Sequence, residues 1–158
     1  KKLPFSSKIF IKEKKGSFLK FQNYWIKSND LKKISYKDKK IFSRVHLFIG
    51  KKYKWGGKTF DGIDCSALVQ LLFNFNNKFC PRDTKDQFHY FKKKIESKSK
   101  RKNYLIFWKG HVAIVLSPKK LIHAYGPSKK VLVMNTDYTI KKIEKTAKLK
   151  IIGIRSVN

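Results

Sequence analysis

The sequence predicts an α+β fold, with helices packed on an antiparallel sheet. Three observations carry this. Apolar residues recur at helical spacing between residues 41 and 95. Five short β-type runs then follow from 104 to 155. A small group of aromatic-rich β runs precedes both, between residues 8 and 27. Helices gathered in one part of a chain and strands in another are the pattern of segregated α+β organisation.

At the N-terminal end, Lys8 to Lys12 alternates, with Ile9 and Ile11 on one side, and Lys15-Gly16 makes a turn. Phe18 to Gln22 and Tyr24 to Lys27 are two further short runs, separated by Asn23. Short strands with tight turns indicate a fragment of a small β-barrel. Residues 1–34 form this unit, and residues 35–40, Ser-Tyr-Lys-Asp-Lys-Lys, read as a linker to a domain at 41–158. Three strands bury little alone, so the first unit is expected to pack on the second or to lack an N-terminal portion.

In the second unit, Ile41, Val45 and Phe48 have helical spacing, and Gly50 stops that pattern. A glycine-bearing turn region, Tyr53 to Asp64, leads into a helix from Cys65 to Phe75, with Leu68, Leu71, Leu72 and Phe75 on one face. Asp64 holds its N-cap position, where a carboxylate accepts a backbone N–H. Pro81-Arg82-Asp83 starts another helix, in which Thr84 and Gln87 have the spacing of a capping box and Phe88, Phe91 and Ile95 continue an apolar face. Residues 92–102 are Lys/Ser-rich and read as a solvated helix end and loop. Everything after them reads as β: Tyr104–Trp108, His111–Leu116, Leu121–Tyr125, Val131–Met134 and Ile151–Arg155.

The chain has 158 residues, 41% of them hydrophobic and 15% aromatic, enough to bury a real core. No run approaches about 18 consecutive apolar residues, so no membrane span is expected. The net charge is +29, carried by 35 lysines and only four arginines. The lysines are scattered over the whole chain, the mark of biased composition. Specific nucleic-acid binding needs a motif as well as charge and is not expected. Such a charge still attracts an anionic polymer. The two cysteines, Cys65 and Cys80, lack metal-type spacing, and no His/Cys cluster suggests a metal or other cofactor. Cys80, beside Pro81, reads as a small buried hydrophobe.

Cys65 is the candidate nucleophile. A thiol needs ionising, and the unpaired N–H groups of a helix N-terminus help to do so. His111, opening a strand after Lys109-Gly110, is the candidate base. His123, on the next strand, is the candidate that orients His111. With a simple turn at Ser117–Lys120, His123 would lie opposite residue 114 or 115, so a bulge or sheet coiling must bring the two rings together. Oxyanion donors would be the Cys65 N–H and a group near Tyr53, brought close by a turn at Gly56-Gly57. His46 and His89 lie on expected helices and are assigned no chemistry; Trp25, Trp55 and Trp108 are expected to pack.

Four motifs in order, Tyr53-x-Trp-Gly-Gly with Asp64-Cys-Ser-x-Leu-Val-Gln, Pro81-Arg-Asp-Thr-x-x-Gln, Phe107-Trp-x-Gly-His-Val-x-Ile and Leu121-Ile-His-Ala, resemble the NlpC/p60 cell-wall peptidases over about residues 40–158. These are papain-like cysteine peptidases. Leu3 to Ile34 resembles the end of a bacterial SH3-like domain, incomplete on its N-terminal side. The resemblance implies hydrolysis of peptidoglycan stem peptides at the γ-D-glutamyl–diamino acid bond. It assigns Cys65, His111 and His123 to catalysis, and Tyr53, Asp64 and Ser66 to the substrate pocket. In some SH3-bearing relatives that pocket grips the free amino group of an N-terminal L-alanine, which implies action on trimmed peptides. The enzyme is expected to be bacterial and a monomer, and the sequence leaves its compartment open between the cell envelope (periplasm) and, for wall-peptide recycling, the cytoplasm. Two departures stand out: Ala67 where glycine is commoner, and Asn103-Tyr104 where Gly-Asp is usual. An amidase or acyltransferase on the same scaffold, or a non-catalytic peptidoglycan-binding module, are the other readings.

Overall fold

In the computed structural model, which describes residues 3–96 and 103–157, the C-terminal half of the chain builds a six-stranded antiparallel sheet. Its strands are β6 (Lys94–Ile95), β7 (Tyr104–Trp108), β8 (His111–Ser117), β9 (Lys120–Tyr125), β10 (Lys130–Asn135) and β11 (Ile151–Ser156), in the spatial order β10-β9-β8-β7-β11-β6. Three helices accompany it: α1 (Cys65–Phe75), α2 (Thr84–Tyr90) and α3 (Thr136–Ala147). The remaining strands are β1 (Glu13–Lys15), β2 (Phe18–Phe21), β3 (Tyr24–Lys27), β4 (Lys58–Thr59) and β5 (Gly62–Ile63).

Alternation along the sheet sorts side chains onto two faces. Leu105, Phe107, Val112, Ile114, Ile122, Ala124 and Val131 share a core with Leu68 and Leu72 of α1. Ile106, Trp108, Ala113, Val115, Leu121 and Tyr125 share the other with Ile143 of α3. The central strands are buried on both sides, which is why they read as nearly unbroken apolar runs.

Several expectations need correcting. The stretch Ile41–Ile49 is a succession of tight turns ending in a 3₁₀ segment at Val45–Phe48, not a helix. Its backbone bonds run three residues back, such as Val45 N–H to Phe42 and Leu47 N–H to Arg44. Three-residue periodicity buries Phe42, Val45 and Phe48 on one side. Residues 8–12 carry no strand; β1 starts at Glu13. Ile95 lies in β6, opposite Ile154, and does not extend a helix. Part of the Lys/Ser-rich run, 97–102, lies outside the described residues.

Helix α3 falls where only strand was expected. Asn135 caps it, its Oδ1 accepting from the Tyr138 N–H at 2.9 Å. Its buried side chains, Thr136, Thr139 and Ile143, form one narrow stripe in a lysine-rich segment. Two of the three are threonines, so the apolar period was faint.

The N-terminal meander β1-β2-β3 is a separate small sheet. Phe5 joins its leading segment to the main core, with its ring 5.3 Å from Phe48 and 5.0 Å from Phe75. The expected linker is tied down as well. Asp38 accepts from Arg44 Nε at 2.9 Å, and its N–H donates to Asn76 Oδ1 at 2.7 Å. Among the described residues no helix is long and apolar enough to cross a membrane.

Gly57 sits where β4 and β5 close on the start of α1. A Cβ there would lie 2.4 Å from the Gly62 carbonyl oxygen and 2.9 Å from that of Lys54. Gly57→Ala is therefore expected to cost about 1–3 kcal/mol, the range for forced overpacking. Urea unfolding followed by circular dichroism measures this, and an unchanged midpoint would contradict the packing described.

Candidate active site

Cys65 is the first residue of α1 and is buried. The residue before it organises the surroundings. Asp64 Oδ1 accepts from the Ala67 N–H at 2.8 Å, the expected cap, and from Ser66 Oγ at 3.2 Å. Its Oδ2 accepts from the Gly56 N–H at 2.9 Å. Arg82 closes a two-pronged contact, Nη1 donating to Oδ1 at 3.1 Å and Nη2 to Oδ2 at 2.5 Å. The same Nη1 donates to Ser66 Oγ at 2.9 Å. The Gly56-Gly57 turn thus closes onto the helix start as expected, and Gly56, at φ +73°, takes the left-handed conformation that glycine adopts freely.

Arg82 is the residue that sequence reasoning left out of the site. Its signal was present in Pro81-Arg82-Asp83, read as a helix start and as part of a family motif but with no role assigned to the arginine. The Asp64 carboxylate, which the resemblance assigns to the substrate pocket, is engaged by five donors, two of them from a guanidinium. The formal positive charge beside the thiol is therefore Arg82, and its side chain is 27% exposed.

The expected capping box does not form. Asp83, not Thr84, is the N-cap of α2. Gln87 is fully buried and donates its Nε2 to the carbonyls of Ser66 and Pro81, each at 2.9 Å. That fastens α2 to the first turn of α1. Thr84, also buried, turns its hydroxyl to the Cys65 sulfur.

His111 and His123 come together, and a bulge is the reason. Val115 pairs with Leu121 but Ser117 pairs with Lys120, so β8 carries one extra residue at 116. Ile114 opposite Ile122 then sets His123 across from Ala113, two residues from His111 on the same face. Side chains on such a diagonal are within reach when they are long or aromatic. His111 Nε2 lies 2.9 Å from His123 Nδ1. The His123 ring stacks on Tyr125, 4.7 Å between centroids and 10° between planes, and its Nε2 lies 3.3 Å from Met134 Sδ. Trp108 flanks His111 at 5.5 Å.

The thiol meets this group at the end of β8. Cys65 Sγ lies 4.0 Å from the Gly110 carbonyl and is also served by the Val112 N–H, so it touches the main chain on both sides of His111. Gly110, at φ +75°, makes the turn that opens the strand. Tyr53 faces the same spot: its hydroxyl is held above its ordinary pKa by burial and by Cys65 and Asp64. The Tyr53 ring lies against Gly126, where a Cβ would sit 3.4 Å from it.

Burial opposes charge at the reactive centre. Burial pushes the Cys65 thiol up, assisted by Asp64, while the N–H groups of Val112 and Ser66 and the Thr84 hydroxyl pull the other way. Burial lowers His111 to about 4. His123 falls to about 3 through burial, with His111 and Lys142 adding to the effect. Cys80, buried against no such donors, is pushed up to about 12. Both cysteines are free thiols. His46 and His89 are exposed, each with Nδ1 near a backbone carbonyl of its own turn. Of the tryptophans, Trp108 packs as expected, while Trp55 is 80% exposed. Among the described residues no group of His, Cys, Asp and Glu could hold a metal ion.

Two outcomes follow. Arg82→Ala leaves the Asp64 carboxylate buried without its ion partner and is expected to cost about 3 kcal/mol, read by thermal and urea unfolding; Arg82→Lys should recover part of it. The histidines set a pH dependence. Their folded values lie below the ordinary 6.5, so the unfolded chain binds protons first as pH falls. Their stabilisation is complete above about pH 7 and is lost as pH drops through 6.5 towards 4 and then 3. His123→Gln should flatten the stability curve between pH 6.5 and 4, and a variant curve parallel to wild type there would disprove the assignment.

Comparison with known proteins identifies relatives of the chain. Residues 50–147 match the NlpC/P60 family. A gamma-D-glutamyl-L-lysine dipeptidyl-peptidase of Bacillus subtilis is 30% identical over 105 residues, covering 62% of this chain and 36% of that protein. The crystal structure of the NlpC/p60 domain of peptidoglycan hydrolase SagA is 30% identical with a TM-score of 0.56, over 62% of this chain and 88% of that domain. An NlpC/P60 family protein from Bacillus cereus shares the fold over 93% of this chain and 52% of its own, with a TM-score of 0.76 at 20% identity. The chain spans between 33% and 49% of the length of the curated relatives it matches.

Proposed function

We propose, from the premise that the chain belongs to the NlpC/P60 family, that it is a cysteine peptidase cutting peptidoglycan stem peptides after γ-D-glutamate. The observation that carries the reading is the meeting of the Cys65 thiol, at a helix start, with the strand end that presents the hydrogen-bonded pair His111–His123. The γ-D-glutamyl bond is supported by the named activity of the Bacillus subtilis relative.

In this mechanism His111 takes the thiol proton as Sγ attacks the γ-glutamyl carbonyl carbon. Since burial disfavours both the thiolate and the imidazolium, the proton moves during the attack. The oxyanion meets the Cys65 N–H, with the Tyr53 hydroxyl beside it. His111 then gives its proton to the amine nitrogen as the C–N bond breaks, leaving a thioester. Water, deprotonated by His111, attacks the thioester; the C–S bond breaks and the sulfur regains its proton. His123 orients His111. Arg82 is the cation at the rim and would meet an anionic group of the peptide, while Asp64 and Ser66 hold Arg82 in place. No cofactor is required in this scheme.

The same reading takes residues 1–34 as the end of an SH3-like module, with 35–40 as its connection to the peptidase unit at 41–158. It is supported by the meander β1-β2-β3 and by the length over which the Bacillus cereus protein shares the fold.

The test is incubation of the reduced protein with L-Ala-γ-D-Glu-diaminopimelate and its lysine counterpart, with products read by mass spectrometry. Release of L-Ala-D-Glu is expected from wild type and from Cys80→Ser. Cys65→Ala should be slower by about a thousandfold or more. Absence of cleavage by wild type would overturn the reading, and undiminished cleavage by Cys65→Ala would remove Cys65 from it.

A further inference from the structure

We propose that Met134 is a positioning residue that sets the proton arrangement of both histidines. The inference rests on the reading of His111 as the base. A thioether sulfur carries no proton and can only accept a hydrogen bond. His123 Nε2 lies 3.3 Å from Met134 Sδ, so the proton of the neutral His123 ring sits on Nε2. Its Nδ1 is then a bare lone pair. His111 Nε2, 2.9 Å away, must supply the proton for the bond between the rings. A neutral imidazole has one N–H, so His111 Nδ1 is left unprotonated. The chain of donors runs from His111 through His123 to sulfur, and its far end is a nitrogen lone pair on the residue whose main-chain neighbours touch Cys65 Sγ.

Every link depends on sheet geometry. His123 pairs with Leu132, and Met134 is the next residue on that face of β10. Tyr125 stacks on the His123 ring and fixes its plane, which holds Nδ1 towards β8 and Nε2 towards β10. With a purely apolar side chain at 134, His123 would gain by turning its single proton to Nδ1 and donating it to His111. His111 Nε2 would then accept, the proton would move to Nδ1, and the base would be blocked.

The experiment is ¹⁵N spectroscopy of the histidine side chains in the reduced, substrate-free protein near neutral pH, with His46→Gln and His89→Gln removing the two exposed rings. Wild type should show both remaining rings as the Nε2–H form. Met134→Leu keeps the volume and removes the acceptor. It should shift His123 towards Nδ1–H and lower kcat on the stem tripeptide by about fivefold, the worth of one neutral hydrogen bond, with KM unchanged. Met134→Gln, whose amide oxygen accepts, should restore the Nε2–H form. A wild-type His123 carrying Nδ1–H, or a His123 spectrum unmoved by Met134→Leu, would overturn the proposal. Failure of every form to cleave would overturn the peptidase reading instead, and the spectra would still decide the proton arrangement.

Discussion

The rest of the site depends on one carboxylate. Asp64 caps the helix that begins with Cys65, accepts the N–H of Gly56 and receives the guanidinium of Arg82. A buried charge is stable only when its lone pairs are met, and here three separate segments meet them. The glycine turn, the helix start and the lead into α2 are thus brought to one point. Ser66 and Gln87 strengthen the same junction through Arg82 and the Ser66 carbonyl. The position of the sulfur follows from these contacts, since Cys65 has no freedom apart from the helix that carries it.

The histidines reach that point by a different route. They belong to the face of the sheet covered by α3, whereas α1 packs on the opposite face. The two come together only at the end of β8, where Gly110 turns the chain. One extra residue at 116 brings His123 a residue nearer to His111 than a regular hairpin would. This placement also explains why burial opposes charge there. Rings set among Trp108, Tyr125 and Met134 are poorly solvated as cations, so burial lowers both histidines, as it raises the thiol.

The net charge of +29 has no counterpart in a single binding face of this site. Among the described residues, the charges that bear on the thiol and on His123 include Asp64, Arg82 and, from α3, Lys142. The lysines elsewhere surround a core whose own chemistry is set by desolvation. Any long-range attraction to anionic polymers and the proposed local chemistry would therefore rest on different groups of the chain.

Much of the fold was legible because its determinants are local. The strands β7 to β11 were readable from β-branched and aromatic runs, α1 from its apolar spacing and its aspartate cap. Cys65, His111, His123 and Tyr53 were singled out by residue type and position. What failed to read locally was decided by tertiary contacts. Helix α3 buries two threonines where a stronger pattern would show leucines. The stretch at 41–49 has helical spacing, yet its turns tighten so that residues 42, 45 and 48 all face the core. Gln87 looked like a capping partner, but burial between two carbonyls gave it other acceptors. By itself the sequence determined which groups are available for chemistry and the order of the elements that carry them. Only the tertiary structure decided that Arg82 takes the Asp64 carboxylate, and that a bulge and a methionine set how the two imidazoles share their protons. Those outcomes depend on register and on which buried partner lies within hydrogen-bond reach, and neither is written in any short stretch of residues.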